Sequence, residues 1–234
     1  MGRRWSAERR RDPYHRAAMR QGLRSRAAFK LLELIERHRL IQPGDRVLDL
    51  GASPGGWSVI ALQATGPQGI VVAVDVRAFE ETDGVRFVHG RVGDPRLLER
   101  LGKEPFDVVL SDMSPSLSGA YSTDHARSVE LVREGFALAR RVLRPGGTFV
   151  AKVFQGDLIP SLREELSPAF GRLFATKPRA SREASSEQYL IGVGFRGGMS
   201  GPGPERALPS TTPPEEEGRP DPSARMGVAS ARRP

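Results

Sequence analysis

The chain has 234 residues, no cysteine, four histidines and a formal net charge of +8. That length suits one α/β domain with short extensions. The missing cysteines exclude disulfides, cysteine-ligated zinc, iron–sulfur clusters and cysteine nucleophiles, and the scattered histidines offer no metal cluster.

The longest apolar runs are strand-sized, short of the roughly 18 residues a membrane span requires. No secretory apolar segment follows the N-terminal charges either. A cytoplasmic protein with neither membrane nor metal partner is therefore expected.

The first 26 residues hold nine arginines against Glu8 and Asp12, a balance of +7. Guanidinium groups pair with phosphates and release counterions, so this arm carries the footprint of a nucleic-acid binder. Trp5 and Tyr14 within it are candidates for stacking on bases. Residues 1–23 are taken as a basic arm, 24–196 as the folded domain and 197–234 as a tail. The tail has eight prolines and six glycines among 38 residues and too little apolar surface to offset its ordering entropy, so disorder is expected there.

Apolar periodicity predicts a first helix over residues 24–38, with Ser25 as N-cap and Pro43-Gly44 beyond its end. Strands follow at 46–50, 70–74, 85–89, 106–111 and 148–154. Helices alternate with them at 57–64, 95–101 and 124–143, the last closed by Pro145-Gly146-Gly147. Such alternation predicts right-handed βαβ units and a doubly wound, Rossmann-like parallel sheet. A helix over 159–166 precedes two more strands, 173–176 and 188–195. The short link between those strands suits a hairpin, which makes the final strand antiparallel and sets it at one edge.

Residues 47–57 read V-L-D-L-G-A-S-P-G-G-W, a buried strand running into a glycine turn and a helix. Gly51, Gly55 and Gly56 allow the backbone to bend sharply against a ligand. A dinucleotide fingerprint would place glycine at Ser53, and Pro54 removes an amide that a phosphate cradle would use. Asp75 ends the second strand, where a carboxylate reaches ribose hydroxyls. A ligand with an adenosine and no phosphates fits, and S-adenosylmethionine is such a ligand.

Ligands of open α/β sheets lie beyond the carboxyl ends of the strands. There the fourth strand delivers Asp112 and the fifth Lys152, close enough in topology to meet. A buried lysine ammonium is costly unless paired, so the two are read as either a structural ion pair or part of a site.

These residues resemble the FtsJ/RrmJ-type ribosomal RNA 2′-O-methyltransferases. The matching stretches are G-L-R-S-R-A-A-F-K-L at 22–31, D-L-G-A-S-P-G-G-W at 49–57 and L-S-D-M-S-P at 110–115. Two more are P-G-G-T-F-V-A-K-V-F-Q-G at 145–156 and S-R-E-A-S-S-E-Q-Y-L at 181–190. The resemblance implies an S-adenosylmethionine-dependent methyltransferase sheet of seven strands with the last antiparallel. It implies a catalytic set of Lys30, Asp112, Lys152 and Glu187, in which Lys152 deprotonates a ribose 2′-hydroxyl and Glu187 positions substrate.

By position it also carries over cofactor contacts at Gly55, Trp57, Asp75 and Asp112. Where the family commonly has an adenine-binding Asp, this chain has Arg91, which offers no acceptor, and Asp94 is the candidate substitute. The S-D-M-S-P stretch is similar to the ribosomal branch, implying a uridine in the A-loop of large-subunit ribosomal RNA as target and the subunit as partner. A transfer-RNA ribose methyltransferase and a non-catalytic RNA-binding or ribosome-assembly module are the alternatives. With no obvious apolar patch, a monomer is expected.

Overall fold

A computed structural model describes residues 27–80, 82–181 and 185–197. The basic arm, Ser25 and the tail lie outside these residues. The elements in chain order are α1 (Ala27–His38), β1 (Arg46–Leu50), α2 (Gly56–Thr65), β2 (Ile70–Asp75), β3 (Val85–His89) and α3 (Leu97–Leu101). They continue with β4 (Phe106–Ser111), α4 (Tyr121–Val142), β5 (Leu143–Phe154), α5 (Ile159–Leu166), β6 (Phe170–Thr176) and β7 (Glu187–Phe195).

The seven strands form one sheet in the order β3-β2-β1-β4-β5-β7-β6. The pairs among β1 to β5 are parallel, and β7 is antiparallel to both β5 and β6. The final strand is thus antiparallel as expected, but it is not at an edge; β6 holds that place. Burial explains why. Tyr189, Leu190 and Ile191 of β7 are all buried, so both faces of that strand need cover, whereas β6 exposes Gly171, Arg172 and Ala175.

Successive residues of each strand point to opposite faces, and both faces are covered. Val47, Val71, Val108, Val150 and Ile191 pack with Ala28, Leu31 and Leu34 of α1 and Trp57, Ile60 and Ala61 of α2. Their neighbours Leu48, Val72, Val109, Phe149 and Leu190 pack under α3, α4 and α5. Each such side chain contributes about 1.5–3 kcal/mol by leaving water. The continuous apolar runs of β1, β2 and β4 are the sequence trace of this double cover.

Among the described residues, boundaries differ from expectation by more than one residue at four places. β5 begins at Leu143, before the Pro-Gly-Gly stretch, because Leu143 pairs with Phe106 across a register shift in β4. β6 begins at Phe170, which pairs with Phe195. α4 begins at Tyr121 because Asp124, inside its first turn, reaches back to the amides of Ser118 and Gly119. α3 is shorter than expected, starting at Leu97 after a turn in which Asp94 accepts from the amide of Arg96. Among the described residues no helix is long and apolar enough to cross a membrane.

Candidate active site

Strand periodicity places the chemistry. On β4, Val108 and Leu110 face α1 and α2, so the next residue of that parity, Asp112, emerges on the same side. By the same count Lys152 follows Val150 on β5, Asp75 follows Val71 on β2, and Asp49 follows Val47 on β1. On β7, Tyr189 and Ile191 belong to this face too, and Glu187 shares their parity. α1 lies across it and supplies Lys30, so residues far apart in sequence converge at one end of one face.

Lys152 Nζ lies 3.1 Å from Asp112 Oδ1 and donates to the Asp112 carbonyl at 2.7 Å. The Tyr189 hydroxyl donates to Asp112 Oδ1 at 3.2 Å, and its ring packs against Trp57 at 5.5 Å between centroids. Beside this group Lys30 Nζ is 2.5 Å from Glu187 Oε2, which also accepts from the Ser185 hydroxyl at 3.1 Å. Lys30 and Lys152 are both buried. Each has a carboxylate partner, which offsets the desolvation of its ammonium. Burial alone would raise the Glu187 carboxyl, but the Lys30 ammonium, assisted by Lys152 and Ser185, outweighs burial and holds it below the ordinary carboxylate range. All four predicted catalytic residues therefore come together, as two ion pairs side by side.

The glycine turn lies next to them. Gly51 has φ of +74°, and a Cβ there would stand 2.8 Å from Met113 Cγ and 3.0 Å from Met113 Cα. Only glycine lets the exit of β1 pass this close to the exit of β4. Gly55, at φ +97°, is the N-cap of α2, with no side chain capping its first turn, and Gly56 opens the helix. The Trp57 indole Nε1–H donates to the Ala27 carbonyl at 2.8 Å. That side chain is thus committed to fixing α1.

Asp75 accepts from the amides of Ser53 at 2.9 Å and Arg77 at 2.8 Å, which fixes its carboxylate at the end of β2. The next residue, Val76, is half exposed and puts an apolar surface beside it. Asp94 is located after β3, where its Oδ1 accepts from the Arg96 amide at 2.9 Å.

Asp49 is fully buried. Its Oδ2 accepts from the Ser58 hydroxyl at 2.6 Å, while its Oδ1 has no hydrogen-bond partner. Burial pushes its carboxyl up to about 7; Ser58 acts against this, and Asp112 and Asp75 add to it. Three carboxylates thus gather at the ends of β1, β2 and β4, and one carries an unsatisfied oxygen. That donor set fits a ligand bearing positive charge.

Sequence reasoning missed Ser58, Ser185 and Tyr189. Tyr189 sits in a matched stretch and has the same strand parity as Glu187, a signal that could have placed it. Ser185 lies in the same stretch, two residues before Glu187, whereas Ser58 carries no comparable signal.

Comparison with known proteins agrees with this architecture. A family model described as FtsJ-like methyltransferase matches residues 23–195. "Ribosomal RNA large subunit methyltransferase E" of Methanothermobacter thermautotrophicus is 46% identical over 202 residues, covering 84% of this chain and 96% of the relative. The protein of the same name from Archaeoglobus fulgidus is 46% identical over 189 residues, covering 80% and 97%. Among solved structures, a ribosomal RNA methyltransferase from Plasmodium falciparum superposes with a TM-score of 0.68 at 28% identity, covering 74% of this chain and 99% of that one. Aeropyrum pernix fibrillarin, solved with natively bound S-adenosyl-L-methionine, shares the fold at a TM-score of 0.51 and 19% identity, covering 73% and 75%.

Proposed function

The chain belongs to the FtsJ-like methyltransferase family, and on that premise we propose that it methylates a ribose 2′-hydroxyl of large-subunit ribosomal RNA, with Lys152 as general base. The observation that carries this reading is the pair of ion pairs, Lys152 with Asp112 and Lys30 with Glu187, over the carboxyl ends of β4 and β5 and the amino end of the antiparallel β7. Relatives at 46% identity named as large-subunit ribosomal RNA methyltransferases support the substrate class.

S-adenosylmethionine supplies an electrophilic methyl group on a cationic sulfur. The residues present fit it. Asp75 would hold ribose hydroxyls, Val76 and Asp94 would face the adenine, and the turn at Gly51, Gly55 and Gly56 with the Trp57 amide would take the amino-acid end. Asp49 and Asp112 would balance positive charge, which the orphaned Asp49 oxygen favours.

The acceptor side works through orientation. The Lys152 ammonium of the ion pair must first give a proton to solvent, and the amine that results has two hydrogens and one lone pair. With both hydrogens directed to the carbonyl and carboxylate oxygens of Asp112, the lone pair is left for the 2′-hydroxyl proton. Tyr189 fixes Asp112 from the other side. Lys30 does not act as an isolated cation against Lys152, because Glu187 compensates its charge at 2.5 Å. That pair pins α1 to β7 and frames the place where the ribose would lie. The hydroxyl oxygen loses its proton to Lys152 as it gains the methyl group, and the proton then leaves to solvent. Holding both reactants in line supplies much of the acceleration.

The Ser111-Asp112-Met113-Ser114-Pro115 stretch favours the ribosomal branch and, within it, a uridine of the A-loop. Two measurements test the reading. Lys152→Ala is expected to lower single-turnover methyl transfer to large ribosomal subunits at least a hundred-fold while leaving S-adenosylmethionine affinity within a few fold; a near-wild-type rate would remove Lys152 as base. Primer-extension mapping of methylated riboses, in cells with and without the protein, is expected to show one missing methyl in the A-loop. Loss elsewhere would reassign the target.

A further inference from the structure

Among the described residues the exposed large apolar side chains are Ile70, Val76, Leu117, Tyr121 and Leu158. Tyr121 opens α4, and Leu117 lies in the loop that enters it, next to Ser118, which is hydrogen-bonded to Asp124. The Leu158 amide is hydrogen-bonded to His125 of α4, so all three border the N-terminal end of α4 beyond the exit of β5. Tyr121 is 60% exposed yet fixed. Its hydroxyl donates to the Gln155 carbonyl at 2.6 Å, and its ring lies parallel to that of His125, 16° between planes.

His125 is itself a wedge in the turn that follows β5. Its Nδ1–H donates to the Phe154 carbonyl at 3.0 Å, and its Nε2 accepts from the Leu158 amide at 3.1 Å. The ring presses so closely on Gly156 that a Cβ there would stand 2.4 Å away. The Gln155 amide donates to the Ser186 carbonyl, next to Glu187. The tyrosine ring is therefore locked to the turn that leaves Lys152 on one side and Glu187 on the other.

The charges on this rim do not suit a phosphate. Asp124 is turned inward onto Ser118 and Gly119, Arg127 reaches back to the Ser116 carbonyl, and Asp157 is exposed 3.5 Å from His125 Nε2. One cation and one anion flank a flat, rigid, half-bare ring. Such a surface takes the face of an aromatic group. Tyr121 is hydrogen-bonded to Gln155, three residues beyond Lys152, so a nucleotide next to a ribose at Lys152 would reach the ring along the exit of β5.

Resting on the reaction proposed above, we infer that Tyr121, with Leu117 and Leu158 beside it, is a stacking platform for the nucleobase next to the methylated nucleotide. A ring already held by His125 and Gln155 loses little freedom when a base stacks on it, and such stacking is worth roughly a ten-fold change in affinity or more. The platform sets which single-stranded segment enters the site, while Lys152 and Asp112 act on the ribose.

The test uses the full chain, saturated with S-adenosylhomocysteine, and a fluorescein-labelled single-stranded oligouridine at physiological salt. Tyr121→Ala is expected to weaken binding of this RNA about ten-fold, with S-adenosylhomocysteine affinity unchanged. Tyr121→Phe and Tyr121→Trp keep a ring and are expected within about two-fold of the wild type. Equal RNA affinity in Tyr121→Ala overturns the inference. So does a Tyr121→Phe variant as weak as Tyr121→Ala, which would assign the effect to the Gln155 clasp. Should Tyr121→Ala fail to fold, Leu117→Ala on the exposed loop serves, with binding weakened about two- to three-fold expected and no change overturning the platform. A wild-type chain that binds RNA through Tyr121 but methylates no ribose keeps the platform and removes the proposed reaction.

Discussion

Asp49 carries an ionisable group into one of the driest parts of the molecule, with a single serine hydroxyl for company. Its carboxyl, ordinarily near 3.8, is pushed up to about 7 by burial first, then by Asp112 and Asp75, against the pull of Ser58. Between those two values the folded chain holds a proton that the unfolded chain has lost. Asp49 therefore favours folding at low pH and penalises it increasingly as pH rises, with the full penalty reached above about 7. A shift of this size corresponds to an upper bound on the order of 4 kcal/mol. Glu187 acts with the opposite sign: its contribution is present above its unfolded value of 4.5 and is lost in acid. The difference between wild type and Asp49→Asn isolates the first effect. Thermal melts at pH 5 and pH 8 are expected to show the wild type losing stability relative to Asp49→Asn as pH rises. The same melts with S-adenosylmethionine are expected to show more stabilisation of the wild type at pH 8, where an ionised Asp49 meets a cation. Parallel profiles for the two proteins would mean that Asp49 keeps an ordinary carboxyl.

Where strands end decides how the site is assembled, and Gly51 is the tightest of those ends. Its amide donates to the Val74 carbonyl at 2.9 Å, and its open α-carbon faces the backbone of Met113, one residue beyond Asp112. Gly51→Ala adds a methyl that must move Met113 and also strains a backbone at φ +74°. Gly44→Ala is the control, since Gly44 has φ of +84° with nothing within 4 Å of the added Cβ. Gly44→Ala is expected to cost about 1 kcal/mol of stability and leave the site intact. Gly51→Ala is expected to cost more and to weaken S-adenosylhomocysteine binding at least ten-fold by calorimetry; equal behaviour of the two variants would show that the close approach is idle. The glycine turn was legible because strand, turn and helix signals coincide within residues 47–57. The place of β7 could have been read from the consecutive apolar residues Tyr189, Leu190 and Ile191, and the edge place of β6 from Gly171 and Arg172 within it, but a hairpin alone does not say which arm pairs with the sheet. The start of α4 was placed three residues late because the backward reach of the Asp124 side chain, from inside the first turn to the Ser118 amide, is not visible in residue order. At the site, Asp112 and Lys152 follow from neighbouring strand ends. The Lys30–Glu187 contact spans 157 positions and was available only through resemblance to a family.

Along the whole sequence, excess charge is separated from the residues of the site. The residues that would meet the ribose are two compensated ion pairs, and the rim near Tyr121 is balanced by Arg127 and Asp157. A site of this kind can select and orient an RNA segment but draws it only weakly from solution. In the sequence the excess positive charge lies in residues 1–26, which account for +7 of the total +8. We propose that arm and site divide the work, the arm capturing polyanion without sequence preference and the site acting on a single nucleotide. Deleting residues 2–20 removes seven arginines together with Glu8 and Asp12. With roughly 0.7 of a counterion released per neutralised phosphate on single-stranded RNA, the slope of log affinity against log salt is expected to fall by roughly 3. Affinity at low salt drops accordingly, while the methylation rate at saturating RNA is retained. Fluorescence polarisation over a salt series checks both numbers in one experiment. An unchanged slope and affinity would mean that the arm does not contact RNA, and the folded domain would then have to collect its substrate through the base contact at Tyr121 and the ribose contact at Lys152 alone.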